Sequence, residues 1–429
     1  MKKPELLIPA GSWEVFKTAV RYGADAVYIG GEAFGLRAAA RNFDFEEMDR
    51  AIKYAHEHGV RVHVTANILA HDDDLKDAEA YLTEVGKLGP DALIVADPGM
   101  FEIARRVAPD VDVHISTQAN NTNYGTYNFW WKQGAKRVVA ARELSLKEIK
   151  DIREHIDPDM EIETFIHGAM CISYSGRCLL SNYLVGRDAN RGACTHPCRW
   201  KYSIVEEERP GEYMPVFENE RGTYIFNSKD LCMIEHIPEM LEAGIDSFKV
   251  EGRMKTALYV ATVARTYRNA IDDLLESEEK YRENLEHYKE EIGKCTYREF
   301  TTGFFFNKPT SESQIYDNNT YVKNYTYIGT VENVIAPQDP GSGNVPGPQA
   351  FAAGNVPGPQ ICFEQKNKFS VGDELEIMKP DGRNLFVTVK SILGDGQPQE
   401  SAPHPQQALT IEFNENEVIE IGDIIRAKA

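Results

Sequence analysis

Four cysteines, Cys171, Cys178, Cys194 and Cys198, fall within one short stretch, CISYSGRCLLSNYLVGRDANRGACTHPC, while Cys232, Cys295 and Cys362 stand apart. Clustered thiols can close disulfides, hold zinc, hold an iron–sulfur cluster, or do none of these. The N-terminal MKKPELLIPAGSWEVFK lacks the apolar core of a signal peptide, and no run approaches the length of a membrane span. A cytoplasmic protein with no membrane partner is therefore expected, and in that reducing compartment disulfides fit poorly. Structural zinc sites usually pair their cysteines closely, which gaps of six, fifteen and three residues match badly. Iron–sulfur clusters accept more varied spacings, needing only four thiolates that converge. Cluster, zinc and unliganded thiols all stay open on spacing alone. The three isolated cysteines read as core residues.

The cysteine stretch also differs from the rest in charge. The chain carries 67 acidic and 47 basic side chains, a formal net charge of −20, which argues against indiscriminate nucleic-acid binding. Between Cys171 and Lys201, however, Arg177, Arg187, Arg191, Arg199 and Lys201 face Asp188 alone. That window is a basic island of +4 on a remainder of −24. Arg177 and Arg199, beside the cysteines, are candidate substrate contacts. The bland reading is that these arginines pair with carboxylates inside the fold.

A second set of candidates sits where short apolar runs stop. Asn67, Asp97, Gln118, Asn120, Arg142, Glu143, His167, Glu251 and Arg253 each follow or end such a run. Singly, each reads as a cap or structural polar group; together they describe a pocket suited to an anionic or nucleotide-like ligand. Asn67, Gln118, Asn120, Arg142, Glu251 and Arg253 are the candidate substrate-binding residues. His167, four residues before Cys171, is the candidate for proton transfer or substrate contact, and Glu163 is a second candidate catalytic residue. No HExxH or GxSxG occurs, and HEH at 56–58 has the wrong spacing for a zinc peptidase.

The elements that position these groups follow from the apolar runs themselves. ELLIPA at 5–10, AVYIGG at 26–31, VRVHVTAN at 60–67, ALIVADPG at 92–99, VDVHISTQ at 111–118, KRVVAARE at 136–143, EIETFIHG at 161–168 and DSFKVEGR at 246–253 make eight buried-looking strands. Helix-like segments ending near glycine alternate with them. Eight strand–helix units in about 250 residues predict a TIM-like (β/α)8 barrel, in the α/β class. The cysteine stretch, followed by WKYSIV, EYMPVF and TYIFNS as a small antiparallel excursion, is then an insertion after strand seven. Such an insertion lands at the C-terminal face, where active sites of this fold lie.

Beyond strand eight, TALYVATVARTYRNAIDDLLES predicts an amphipathic helix and EKYRENLEHYKEEIGK a second, strongly charged one with a solvated face. A barrel domain over 1–300, a linker at 301–324 and a small C-terminal β-barrel over 325–429 are expected, with PDGR as a hairpin turn. GNVPGPQ at 343–349 and 354–360 reads as a short duplication within a surface loop.

ETFIHGAMCISYSGRCLLS at 163–181 resembles the signature of the collagenase-like peptidase U32 family, with Glu163, Phe165, Gly168, Cys171, Gly176, Cys178 and Ser181 in order. NSKDL at 227–231, FKVEGRMK at 248–255 and TTGFF at 301–305 resemble further blocks of it. The resemblance, most similar to the tRNA hydroxylation branch, implies a 4Fe-4S cluster on Cys171, Cys178, Cys194 and Cys198. It also implies formation of 5-hydroxyuridine at the wobble position of tRNA, dependence on prephenate and pairing of some members with a sister protein. The tRNA anticodon region is the implied partner, because single-stranded bases can be splayed into a pocket. The family name implies a peptidase instead, with zinc as the alternative metal. A non-catalytic binding protein with a structural cluster is the third expectation.

Overall fold

The protein is described by a computed structural model covering residues 2–35, 42–171, 173–200, 203–205, 213–215, 228–307, 321–335, 360–413 and 418–429. The expected strands form as β1 (Glu5–Pro9), β2 (Ala26–Gly30), β3 (Arg61–Ala66), β4 (Ala92–Val95), β5 (Asp112–Ile115), β6 (Arg137–Val139), β7 (Glu161–Ala169) and β8 (Ser247–Val250). Each pairs in parallel with the next, and β8 pairs with both β7 and β1, so the sheet closes on itself. The expected (β/α)8 barrel is the observed fold. Helix starts are capped by side chains the sequence places there: Ser12, Asn123 and Thr256 accept backbone N–H bonds, and Asp44 and Ser145 form capping boxes with Glu47 and Glu148.

The barrel interior is charged rather than purely apolar at its lower end. Arg137, 1% exposed, reaches Glu5 at 2.5 Å, Glu161 at 2.6 Å and Glu163 at 2.8 Å. Arg61 also pairs with Glu5, Lys249 stands 2.8 Å from Glu163, and the Ser247 hydroxyl donates to both Glu5 and Glu163. Three carboxylates thus meet three cations, which meets the condition for burying them. Burial alone would raise the Glu5 carboxyl, but Arg137, His63 and Arg61 bring it down to about 2. Above this layer Leu7, Ala26, Tyr28 and Ile94 form a small apolar cluster.

Two histidines, His63 and His114, share the interior with ring centroids 4.8 Å apart. Burial holds His63 down to about 4 and His114 well below the ordinary range. A third, His167, is buried behind β7 and held at about 3 by burial and by Lys255. All three are neutral when folded, whereas the unfolded chain binds protons below about pH 6.5. Stability is therefore expected to be full above that value and to fall as pH drops, by about 1.4 kcal/mol per pH unit for each histidine until its folded value is reached. Urea midpoints at pH 7 and pH 5 check this, and equal midpoints would refute it.

After β7 the chain leaves the barrel for the cysteine stretch. Short strands Ser203–Val205 and Tyr213–Pro215 pair antiparallel, as expected; TYIFNS lies almost wholly outside the described residues. The chain returns as Asp230–Cys232, antiparallel to the end of β7. The amphipathic helix forms as Ala257–Glu276, but the charged segment makes two helices, Glu278–Glu283 and Leu285–Ile292, broken at Asn284. Its charge is not all solvated: Glu291 is buried between Arg265 and Arg426.

The C-terminal domain is an antiparallel sheet around its own apolar core, beginning with Tyr325–Thr330. The expected small β-barrel takes the form of a curled sheet whose two end strands, Tyr325–Thr330 and Asn333–Ile335, are consecutive in sequence. PDGR is its hairpin turn, with Gly382 at φ +95°. The domain docks on the barrel flank through Tyr22, whose hydroxyl donates to Met378 O at 2.6 Å and accepts from Ile424 N at 3.0 Å. The duplicated GNVPGPQ, apart from Gln360, and linker residues 308–320 lie outside the described residues. Among the described residues no helix is long and apolar enough to cross a membrane.

Candidate active site

A cavity of about 600 Å³ opens at the C-terminal mouth of the barrel, and all four clustered cysteines line it together with the strand ends. Of the expected substrate-binding residues, Asn67, Gln118, Arg142, Glu251 and Arg253 face this cavity. Arg142 lies over the Phe165 ring at 3.8 Å and donates to Ala169 O at 2.7 Å and to Glu251 Oε2 at 2.9 Å. One guanidinium thus ties together the ends of β6, β7 and β8. Arg253 donates to Thr65 Oγ1 at 2.9 Å across the mouth. Asn67 donates to Ser116 Oγ at 3.1 Å, while its buried Oδ1 has no hydrogen-bond partner among the described residues.

Other candidates sit elsewhere. Asn120 takes a left-handed conformation at the end of the turn Thr117–Ala119 and does not line the cavity. Asp97 caps the helix Pro98–Val107, accepting from Gly99 N at 2.8 Å and Met100 N at 3.1 Å. Glu163 lies below the cavity within the charged layer and is 0% exposed, so it holds Lys249 and Arg137 instead of meeting a ligand. His167 turns away from the cavity into a box of Tyr259, Tyr267 and Phe300, with ring centroids 5.6–5.9 Å away. This corrects the expectation of a proton-transfer group there: the register shift where β7 meets β8 sends the side chain outward. Arg177 is exposed at the rim rather than in the lining, and the side chain of Arg199 lies outside the described residues.

Three groups were missed by stopping at strand ends. Lys249 and Lys255 line the cavity with Glu251 and Arg253: FKVEGRMK places a charge at every second residue, and the end of β8 at Val250 followed by a turn in which Lys255 N donates to Gly252 O brings all four to the mouth. Lys249 Nζ stands 4.6 Å from the Tyr28 ring centre, and Lys255 Nζ lies 4.8 Å and 5.0 Å from those of Tyr259 and Tyr321. Asp230 enters the lining from the returning strand, its Oδ2 accepting from Arg298 N at 3.0 Å.

The cysteine stretch is pinned to this mouth by its polar residues. Ser175 N donates to Glu143 at 3.0 Å, Thr117 Oγ1 donates to Ser175 Oγ at 3.3 Å, and Leu69 N donates to Asn190 O at 3.1 Å. Buried Ser181 joins the two halves of the stretch, accepting from Thr195 N at 3.2 Å, while Asn190 Nδ2 donates to Cys178 O at 3.1 Å. Gly168 and Gly176 of the signature have φ of +107° and +70°. A β-carbon at 176 would collide with the Gln118 carbonyl, and one at 168 would stand 2.5 Å from the Glu251 carbonyl. Gly176→Ala is thus expected to lower stability by at least about 1 kcal/mol and loosen residues 171–198. Faster amide exchange in that stretch and a lower urea midpoint are the readouts; unchanged values in both would refute the anchoring.

None of the seven cysteines is joined in a disulfide. Among the described residues no three His, Cys, Asp or Glu side chains are already gathered into a closed metal site. Four sulfurs around one cavity are nonetheless a soft donor set suited to an iron–sulfur cluster or zinc. His196 N donates to Cys194 Sγ at 3.4 Å, the kind of bond that tunes a ligating thiolate.

Fold and site together define a closed α/β barrel whose mouth is walled by a four-cysteine insertion. The chain belongs to peptidase family U32, which residues 11–315 match, and residues 354–426 match the peptidase family U32 C-terminal domain. It is 40% identical over 414 residues to tRNA hydroxylation protein P1 of Bacillus subtilis, covering 96% of this chain and 92% of that protein. It is 37% identical over 442 residues to tRNA hydroxylation protein P of Escherichia coli, covering 94% and 92%. The uncharacterized protease MJ0090 of Methanocaldococcus jannaschii is 45% identical over 305 residues, covering 70% and 73%.

Proposed function

We propose that this chain is a tRNA-modifying enzyme that takes part in hydroxylating the wobble uridine to 5-hydroxyuridine. The observation that carries the reading is the shared cavity: four cysteines and an alternating row of Lys249, Glu251, Arg253 and Lys255 face one space. The near full-length likeness to two proteins named for tRNA hydroxylation supports it. Exchanging hydrogen for hydroxyl at C5 is a two-electron oxidation that needs an oxygen donor. A 4Fe-4S cluster on Cys171, Cys178, Cys194 and Cys198 would supply redox-active iron at the mouth. Arg253 and Lys255 would bind an anionic co-substrate such as prephenate, while Asn67 and Gln118 offer amide groups to the base edge. Arg142 holds Glu251 and the ends of three strands in place.

Mass spectrometry of tRNA nucleosides from a strain lacking the protein, and any paralogue, tests this. Loss of 5-hydroxyuridine-type nucleosides, restored by the wild-type chain and not by Arg253→Ala, is expected. Unchanged tRNA, with peptide cleavage abolished by Cys171→Ala, would replace the reading with a peptidase. Anaerobic purification should yield iron and sulfide in near-equal amounts, and zinc alone would remove the cluster. Co-purification of a second member of the family would identify a sister protein.

A further inference from the structure

The rim of the cavity carries large exposed side chains to which the proposed chemistry gives no role. Tyr174 is 62% exposed, Leu179 69% and Tyr183 86%. Single exposed apolar residues are ordinary, but these cluster within the cysteine stretch. Tyr174 belongs to the cavity wall, and the helix Leu180–Val185, which carries Tyr183, starts at that wall with Leu180. Interleaved with them are Arg177 and Arg187, both exposed and without an ion-pair partner among the described residues. Arg191, by contrast, is tied to Asp74 at 2.6 Å, so only part of the basic island is spent inside the fold.

We infer that this ledge grips single-stranded RNA, with Tyr174 and Tyr183 stacking on bases next to the one that enters the cavity and Arg177 and Arg187 meeting the phosphates. The inference rests on the tRNA-modifying reading and adds the surface that holds the substrate. Charge complementarity favours this occupant: on a chain of net −20, an exposed basic island beside the cavity is a place where a polyanion is attracted. Exposed aromatic faces favour single strands, whose bases are free to stack, over duplexes, whose bases already stack on each other. Continuity between ledge and cavity would let the strand deliver one base inward while its neighbours stay outside.

Fluorescence anisotropy with the full chain and a short labelled oligouridylate, beside a duplex of equal length, is the test. Tyr183→Ala and Tyr174→Ala are each expected to weaken single-strand binding roughly tenfold. Arg177→Ala is expected to flatten the dependence of log affinity on log salt by about 0.7. An unchanged melting temperature in Tyr183→Ala, whose side chain is 86% exposed, confirms an intact fold. Unaltered oligouridylate affinity in both tyrosine variants overturns the inference, as does equal affinity for the duplex. A concentration-dependent dimer abolished by Tyr183→Ala would reassign the ledge to a second copy of this chain. If tyrosine variants bind normally while the tRNA still loses its hydroxylated nucleosides in the deletion strain, only the ledge fails. If the deletion leaves tRNA unchanged while the tyrosine variants lose RNA binding, only the functional reading fails.

Discussion

Replacing any one of Cys171, Cys178, Cys194 or Cys198 with alanine is expected to bring bound iron close to background and to cut 5-hydroxyuridine in tRNA by at least tenfold. The magnitude follows from ligation chemistry: changing even a group that supports a metal ligand typically costs about ten- to a hundredfold, and losing a ligand costs no less. The four thiols share one wall although six to fifteen residues separate Cys171, Cys178 and Cys194, because Ser181, Asn190 and Ser175 fold the stretch back onto the strand ends. Cys362→Ala is the matched control, since that thiol sits in the C-terminal sheet 3.4 Å from the Thr410 hydroxyl. Metal content is measured beside the nucleoside, so the outcome does not hang on activity alone. Wild-type metal content in all four variants would remove the ligand assignment.

Arg137→Met is expected to destabilise the barrel by about 3–5 kcal/mol, the usual cost of leaving buried charges unpaired. Glu5 and Glu163 are 6% and 0% exposed, and both rest on that guanidinium. The pH dependence carries a distinct sign. In the native chain Glu5 is held at about 2, below its ordinary value of 4.5, so its contribution is present above pH 4.5 and is lost as pH falls toward 2. Without Arg137, burial pushes the carboxyl the other way, and the deficit should be larger at pH 7 than at pH 4. Adding Glu5→Gln to Arg137→Met should return part of the stability. Urea denaturation of the single and double variants measures both effects, and a single-variant loss under about 1 kcal/mol would show the layer to be dispensable.

Periodicity made most of the fold legible. Runs such as VRVHV and EIETF alternate toward the barrel axis, and all eight strands formed where the apolar runs predicted them. The same local signal marked strand ends, which is why Asn67, Arg142, Glu251 and Arg253 were found. It failed where side-chain direction depends on a neighbour. His167 is one residue out of phase because β7 shifts register against β8, and the result is an aromatic box instead of a cavity face. Glu163 follows the period correctly, yet depth along the barrel decides its role, and depth is a property of the closed sheet. Glu291 looked solvated until the C-terminal domain brought Arg426 against it.

The sequence by itself determined the strand count, the place of the insertion, the basic island and the four thiols, because composition and spacing are local quantities. Only the tertiary structure decided that those thiols share a cavity with Lys249, Glu251, Arg253 and Lys255, and that Tyr183 stands exposed beside it. Closing a sheet brings into contact residues that are far apart along the chain, as Arg253 meets Thr65, and no spacing rule encodes which of them will meet.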